Sequence, residues 1–346
     1  MIFDCCEGSS YPETQQKTAK FLAALWLIAE QSDLPHQAIH QKLKVPYKMA
    51  LTLRLVDEVM RKQICQVPNW HTFRQPEARY NGDAEARKLW YTTVAIPAMT
   101  AALFQNAGLQ HPLAVKLLHG SDGTANPFRV LEAEERQSLL KMNYRFSVDY
   151  VSLGLGVDHG TDYACPEQQV LSHATVLEVV KDAYKPKSGI GQILKIPQIY
   201  TSVVLSTKPE FSRVDVPKCC ALIDQLGKKG VLNGKLASAF NAITGVFPQG
   251  FGINTSKYLS IVLGLNPRKP HEPNVIPLSA KPTYPLPDKQ QGAHKIENYY
   301  FSETRKQFTP SQNAQIEALV KQTDNNDPSW KASETFHEWR AIWQRQ

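Results

Sequence analysis

Residues 37–60 read QAIHQKLKVPYKMALTLRLVDEVM. Ile39 and Leu43 lie four apart, and Met49, Leu53, Val56 and Met60 follow at helical spacing, so each half carries one apolar face. Lys44, Val45 and Pro46 stand between the halves, and proline disfavours an uninterrupted helix. Two short amphipathic helices joined by a three- or four-residue turn pack steeply, as in a helix-turn-helix. The apolar run Phe21–Ala29, ended by Ser32–Pro35, supplies a third helix to cover them. This geometry leaves the start of the second helix free to enter a major groove. The expected DNA-binding residues are Lys44, Tyr47, Lys48, Thr52 and Arg54. Lys48 and Arg54 suit phosphate or guanine, and Thr52 suits a base edge or a thymine methyl. Arg61 and Lys62 would add phosphate contacts. A helical hairpin inside a larger fold, with its basic residues solvated, has the same pattern.

Three pieces of this region resemble a known family: EGSS at 7–10, FLAALWLI at 21–28 and LKVPYKMA at 43–50. Together they are similar to the N-terminal module of ISXO-type insertion-sequence transposases. The resemblance covers residues 7–62 and implies a DNA-binding module associated with a mobile element. Lys44 stands where that family has glycine, and Pro46 where it has serine. The family's zinc ribbon is absent, and no triad of carboxylates follows residue 62, so transposase activity does not carry over.

The chain has 346 residues, 42% of them hydrophobic and 21% charged. That composition suits folded domains and excludes collagen-like or wholly disordered chains. Phe21–Ala29 is the longest apolar run and is too short for a bilayer, which needs about 20 residues. No signal sequence opens the chain, so a cytoplasmic protein without a membrane partner is expected. The cysteines Cys5, Cys6, Cys65, Cys165, Cys219 and Cys220 form no C-x-x-C pair, so a zinc ribbon lacks its usual spacing. Scattered reduced thiols remain, with Cys165 a nucleophile only if its thiolate were favoured. No metal or other cofactor is implied.

The net charge of +7 leans toward anionic partners. Residues 181–269 hold thirteen lysines and arginines against four acids, a local +9, which leaves the rest of the chain at −2. Residues 1–80 hold ten basic against eight acidic side chains. The electrostatic footprint of a nucleic-acid partner therefore falls in the middle segment. The expected phosphate-backbone residues are Lys181, Lys185, Lys187, Lys195, Lys228, Lys229, Lys235 and Lys257. The loop KPKSGIG at 185–191 offers amides and lysines for a phosphate but lacks P-loop spacing. Tyr184 and Tyr200 are expected to stack on bases.

A second resemblance involves Ile199–Leu205 as a strand, a helix from Pro217, and GVFPQGFG at 245–252 ahead of a strand at Tyr258–Leu265. This order is similar to the C-terminal half of the crRNA-binding backbone subunit of CRISPR effector complexes. It implies an RNA-binding sheet and partner protein subunits.

Phe146, Val148, Tyr150 and Leu153 suggest a further strand, and the pattern at 217–245 is helical. Seven prolines between 266 and 287 predict an extended strap. Pro310 ahead of Ile316, Leu319 and Val320, and Ser333 ahead of Phe336, Trp339 and Trp343, predict two closing helices. The expected fold is mixed α and β. Residues 1–80 form the helix-turn-helix module, 81–265 a central basic α/β or α+β domain, and 266–346 the proline-rich strap and C-terminal helices.

Catalytic signatures are scarce. Gly154 and Gly156 do not continue into a dinucleotide fingerprint, because His159 holds the third glycine's place. Asp158, His159 and Asp162 could bind a divalent metal, with His173 joining if the fold returns it there, or simply form a turn. The leading reading is a nucleic-acid-binding protein, with duplex DNA favoured and RNA as the alternative. A metal-dependent hydrolase or nuclease is the third reading.

Overall fold

The computed structural model describes residues 1–65, 70, 73, 75–120, 123–157, 163, 165–254, 259–266, 269–277, 291–295 and 298. Eleven α-helices run through the described residues: α1 (Ile2–Cys6), α2 (Tyr11–Gln31), α3 (His36–Arg61), α4 (Ala84–Trp90), α5 (Ile96–Phe104), α6 (Pro112–His119), α7 (Ala133–Asp149), α8 (Pro166–Tyr184), α9 (Gln192–Val204), α10 (Lys218–Lys228) and α11 (Gly234–Thr244). A small antiparallel sheet follows, with β1 (Gly252–Asn254), β2 (Leu259–Gly264), β3 (Asn274–Pro277) and β4 (Gln291–Gly292) in sequence order. The described residues are thus mostly helical, with a small antiparallel sheet late in the chain.

α3 is the centre of the fold. It is one helix of 26 residues, and Pro46 lies inside it. The expected turn at 44–46 does not form. Proline inside a helix costs about 3 kcal/mol, and burial of the side chains around it outweighs that. From Tyr47 to Met60 every residue except Met49 is buried. A helix buried on all sides is a core helix, not a groove reader. α3 packs against α2, α5, α9 and α11.

One apolar cluster runs from Phe3 through α3, α5, α8, α9 and α11 to Val275 and Ala293. The expected boundary at residue 80 falls within this cluster, because α3 shares its core with elements on the far side. The boundary at 265 separates β2 from β3, yet Ile261 pairs with Ile276 and Val262 with Val275.

Two expected strands are helical. Ile199–Leu205 lies on α9, where Ile193, Ile196, Tyr200 and Val204 point inward at helical spacing. Phe146 and Val148 lie on α7, and Tyr150 and Leu153 on a π-helical segment, Tyr150–Leu155. α7 opens with a reciprocal capping box between Glu132 and Glu135. Packing has overridden the β preference of branched side chains. The element order behind the CRISPR-subunit resemblance, which needs a strand at 199–205, is therefore not present. By contrast α10, α11 and β2 match their expected places.

A second π-helical segment, Tyr91–Ala95, precedes α5. Pro97 has no N–H to offer the Thr93 carbonyl four residues back, and Trp70 Nε1 donates to that oxygen instead at 2.9 Å. The sheet sits on α2 through Trp26 and Phe251, and Gly250, at φ +87°, lets the chain pass against Ala23. The two expected C-terminal helices and most of the proline-rich strap lie outside the described residues.

Candidate nucleic-acid interface

The expected DNA-reading residues face the interior. Tyr47 and Lys48 are 1% and 3% exposed, and Thr52 and Arg54 0% and 3%. Tyr47 lies against Tyr200. Lys48 Nζ donates to Gln105 Oε1 at 3.2 Å, and burial pushes its pKa down to about 7. Arg54 donates to Asp57 at 2.8 Å and to the Tyr11 hydroxyl at 3.0 Å. Lys44 turns to Thr207 Oγ1 at 3.0 Å, and burial lowers its pKa to about 8. Arg61 and Lys62 both pair with Glu58, at 3.3 and 2.8 Å. None of the five is placed to reach a DNA groove, because the surface they were expected to form is the core side of α3.

Charge inside this region is balanced within the protein. Arg79 donates to Glu7 at 2.6 Å and to Asp57 at 2.9 Å, and its guanidinium lies 4.0 Å from the Trp90 ring centre. Glu7, Asp57, Arg54 and Arg79 are all buried. Buried ions are tolerated when each has its counter-charge and its hydrogen bonds. This network ties the end of α1 and α3 to the short 3-10 turn Pro76–Tyr80.

The lysine-rich middle segment behaves differently. The loop between α8 and α9 carries Lys185 and Lys187, with Lys181 in the last turn of α8 and Lys195 in the first turn of α9. The loop between α10 and α11 begins at Lys229, with Lys228 before it and Lys235 just after it. The Asn233 N–H donates to Gln192 Oε1 at 2.6 Å and joins the two loops. Seven of the eight expected phosphate-contacting lysines thus lie on, or within about a turn of, two loops that this bond joins. Six are exposed and Lys195 is half-buried. Lys228 forms an ion pair with Asp224 at 2.6 Å. Lys257 lies outside the described residues.

The loop at 185–191 already holds an anion, and that anion is part of the chain. The Asp182 carboxylate accepts the amides of Lys187 (2.6 Å), Ser188 (2.8 Å) and Gly191 (2.7 Å). Burial alone would raise the Asp182 pKa, but these amides outweigh it and hold the carboxyl below its usual range. A phosphate cannot use the same amides. What the loop offers outward is its lysine side chains, on a backbone that Asp182 makes rigid. Gly191 is required here, since a Cβ would come within 2.0 Å of the Ala183 nitrogen.

The aromatic residues are redistributed too. Tyr200 is 2% exposed and lies in the core. Tyr184 is half-buried, and its hydroxyl is engaged by the Gln105 carbonyl and by Asn106 Oδ1 at 3.1 Å. The aromatic ring at the basic end is Tyr144 of α7. Its centroid lies 5.4 Å from that of Tyr184, and Lys185 Nζ is 4.4 Å from it. Lys141 and Arg145, both exposed, flank Tyr144 on α7, and Arg145 lies 3.9 Å from Asp149. The i, i+4 spacing of Lys141 and Arg145 was available as a signal, but nothing in the sequence links α7 to the loop after α8.

A separate cavity of about 340 Å³ lies between the ends of the two π-helical segments. Thr100, Gly156, Tyr163, Gln169, Ser172 and His173 contribute its polar lining, and among the described residues no carboxylate, lysine or arginine lines it. His173 Nε2 donates to the Val151 carbonyl at 2.8 Å. Asp158, His159 and Asp162 lie outside the described residues. Among the described residues no group of three or more His, Cys, Asp or Glu side chains is placed to hold a metal ion. Burial raises the thiols of Cys6 and Cys219 to about 12, away from nucleophilic use. No helix among the described residues is long and apolar enough to cross a membrane. No family model, curated protein or solved structure matches the chain.

Proposed function

We propose that the protein binds the phosphate backbone of a nucleic acid through the lysine-rich end formed by the α8–α9 and α10–α11 loops. The observation that carries this reading is the Asn233–Gln192 hydrogen bond of 2.6 Å, which brings two lysine-bearing loops to one place. Asp182 and Asp224 are the acids nearest these lysines in sequence. The first faces backbone amides and the second pairs with Lys228, and two acids against seven lysines leave the net charge positive. The buried α3 withdraws support from a groove-reading helix, so the binding expected is set by backbone charge and not by base sequence. The mobile-element association, which rested on that helix, is not carried forward.

The test is fluorescence anisotropy with a labelled oligonucleotide across a salt series. Four to six lysine–phosphate contacts give log K a slope against log salt of about −3 to −5. The variant K185E/K187E/K228E/K229E should lose most binding and flatten the slope. K42E/K88E, at exposed positions elsewhere, should change little. Failure to bind at low salt, or equal effects of the two variants, would overturn the reading.

A further inference from the structure

We infer that the ligand at this basic end is a single strand, and that one of its bases stacks on Tyr144. The inference rests on the backbone-binding reading above and adds a feature that reading does not need. Phosphate contacts alone require only cations. Here a tyrosine ring sits among them, with Lys141 and Arg145 on its own helix and Lys185 over it at 4.4 Å. Tyr144 is half-buried, the Tyr184 ring packs beside it at 5.4 Å and a 56° tilt, and the Tyr184 hydroxyl is anchored to the α5 end through Gln105 and Asn106. Such a ring is held in place before any ligand arrives.

A duplex keeps its base faces stacked on each other and has nothing to offer an aromatic side chain. An unpaired strand presents those faces, and sequence-tolerant stacking on tyrosine is the usual way to use them. Lys185 is exposed and long enough to exchange the ring for a neighbouring phosphate as the base arrives. Exposed cations flanking the ring on α7 and on the α8–α9 loop give the strand a path past Tyr144.

The test compares a 12-nucleotide single-stranded DNA with the blunt duplex it forms with its complement. Wild-type protein should bind the single strand more tightly. Y144L should weaken single-strand binding about tenfold, within the range for loss of one stacked base. Y144F should bind as the wild type, and neither variant should change the salt slope. In the wild-type protein a 2-aminopurine placed in the strand should lose fluorescence on binding, a readout that needs no variant. Equal or tighter binding of the duplex, or an unquenched 2-aminopurine at every position, would overturn the single-strand inference. If Y144L binds normally while K185E/K187E/K228E/K229E does not, stacking is refuted and backbone binding stands. If the lysine variant also binds normally, both are refuted.

Discussion

Replacing Lys48 with methionine should stabilise the protein at neutral pH and destabilise it in alkali. Lys48 is 3% exposed, and its ammonium meets a single neutral acceptor, Gln105 Oε1, at 3.2 Å. Burial lowers its pKa from 10.5 to about 7. The unfolded chain therefore binds more protons than the folded one between about pH 7 and 10.5, and stability rises with pH across that window. A gap of roughly 3.5 units at about 1.36 kcal/mol each sets a ceiling near 5 kcal/mol on the penalty at pH 7. Relaxation around the ammonium reduces this, and about 3 kcal/mol is expected to remain. Methionine keeps the length of the side chain, removes the charge, and strands the Gln105 acceptor at a cost of about 1 kcal/mol. Lys48→Met should thus gain about 2 kcal/mol at pH 7 and lose about 1 kcal/mol where the wild-type amine is neutral in both states. Urea titrations of both proteins at about pH 7, 8.5, 10 and 11 measure the difference directly, with the crossing expected near pH 10. A variant less stable than wild type at pH 7, or a difference that does not change sign with pH, would refute the reasoning.

Three other substitutions probe the same architecture. Asp182→Asn should cost about 3 kcal/mol, because the loop amides lose a charged acceptor. The Asp182 pKa lies below its ordinary value, so its contribution is present above that value and is lost as pH falls through the folded pKa; urea midpoints between pH 3 and 7 should show a shallower acid limb in the variant. Arg79→Met leaves Glu7 and Asp57 as buried carboxylates without that counter-charge, and chemical denaturation should show a loss of about 3–5 kcal/mol. His40, whose Nδ1 donates to the Ser206 carbonyl at 2.7 Å, has its pKa pushed down to about 4, chiefly by burial. Its unfolded form takes up a proton first, so stability falls as pH drops from about 6.5 to 4, and His40→Gln should flatten that part of a thermal-melt pH series.

α10 and α11 were legible because amphipathic spacing and Pro217 before the first agreed. β2 falls within the strand expected at Tyr258–Leu265. α3 was read as two pieces because a local rule, proline as a breaker, lost to burial around the helix, which no local pattern reports. α9 shows the same conflict, since Ile199, Val203 and Val204 favour strands in isolation but lie on a helix that packs against α3. The excess of lysines was countable from residues 181–269, whereas their convergence depends on one contact between Gln192 and Asn233. Tyr144 could not be found from sequence, because its partners Tyr184 and Lys185 lie on another helix and the loop after it. The amides of the 185–191 loop looked available for the opposite reason: Asp182 was counted as a charge when it is the loop's own ligand.

Lysine-reactive footprinting with and without a 12-nucleotide single strand tests the central claim most directly, because each amine reports for itself. Protection should appear at Lys181, Lys185, Lys187, Lys228, Lys229 and Lys235, and be absent at the exposed Lys42 and Lys88. Protection at Lys42 and Lys88 with the loop lysines unchanged, or no protection at any site, would contradict the account.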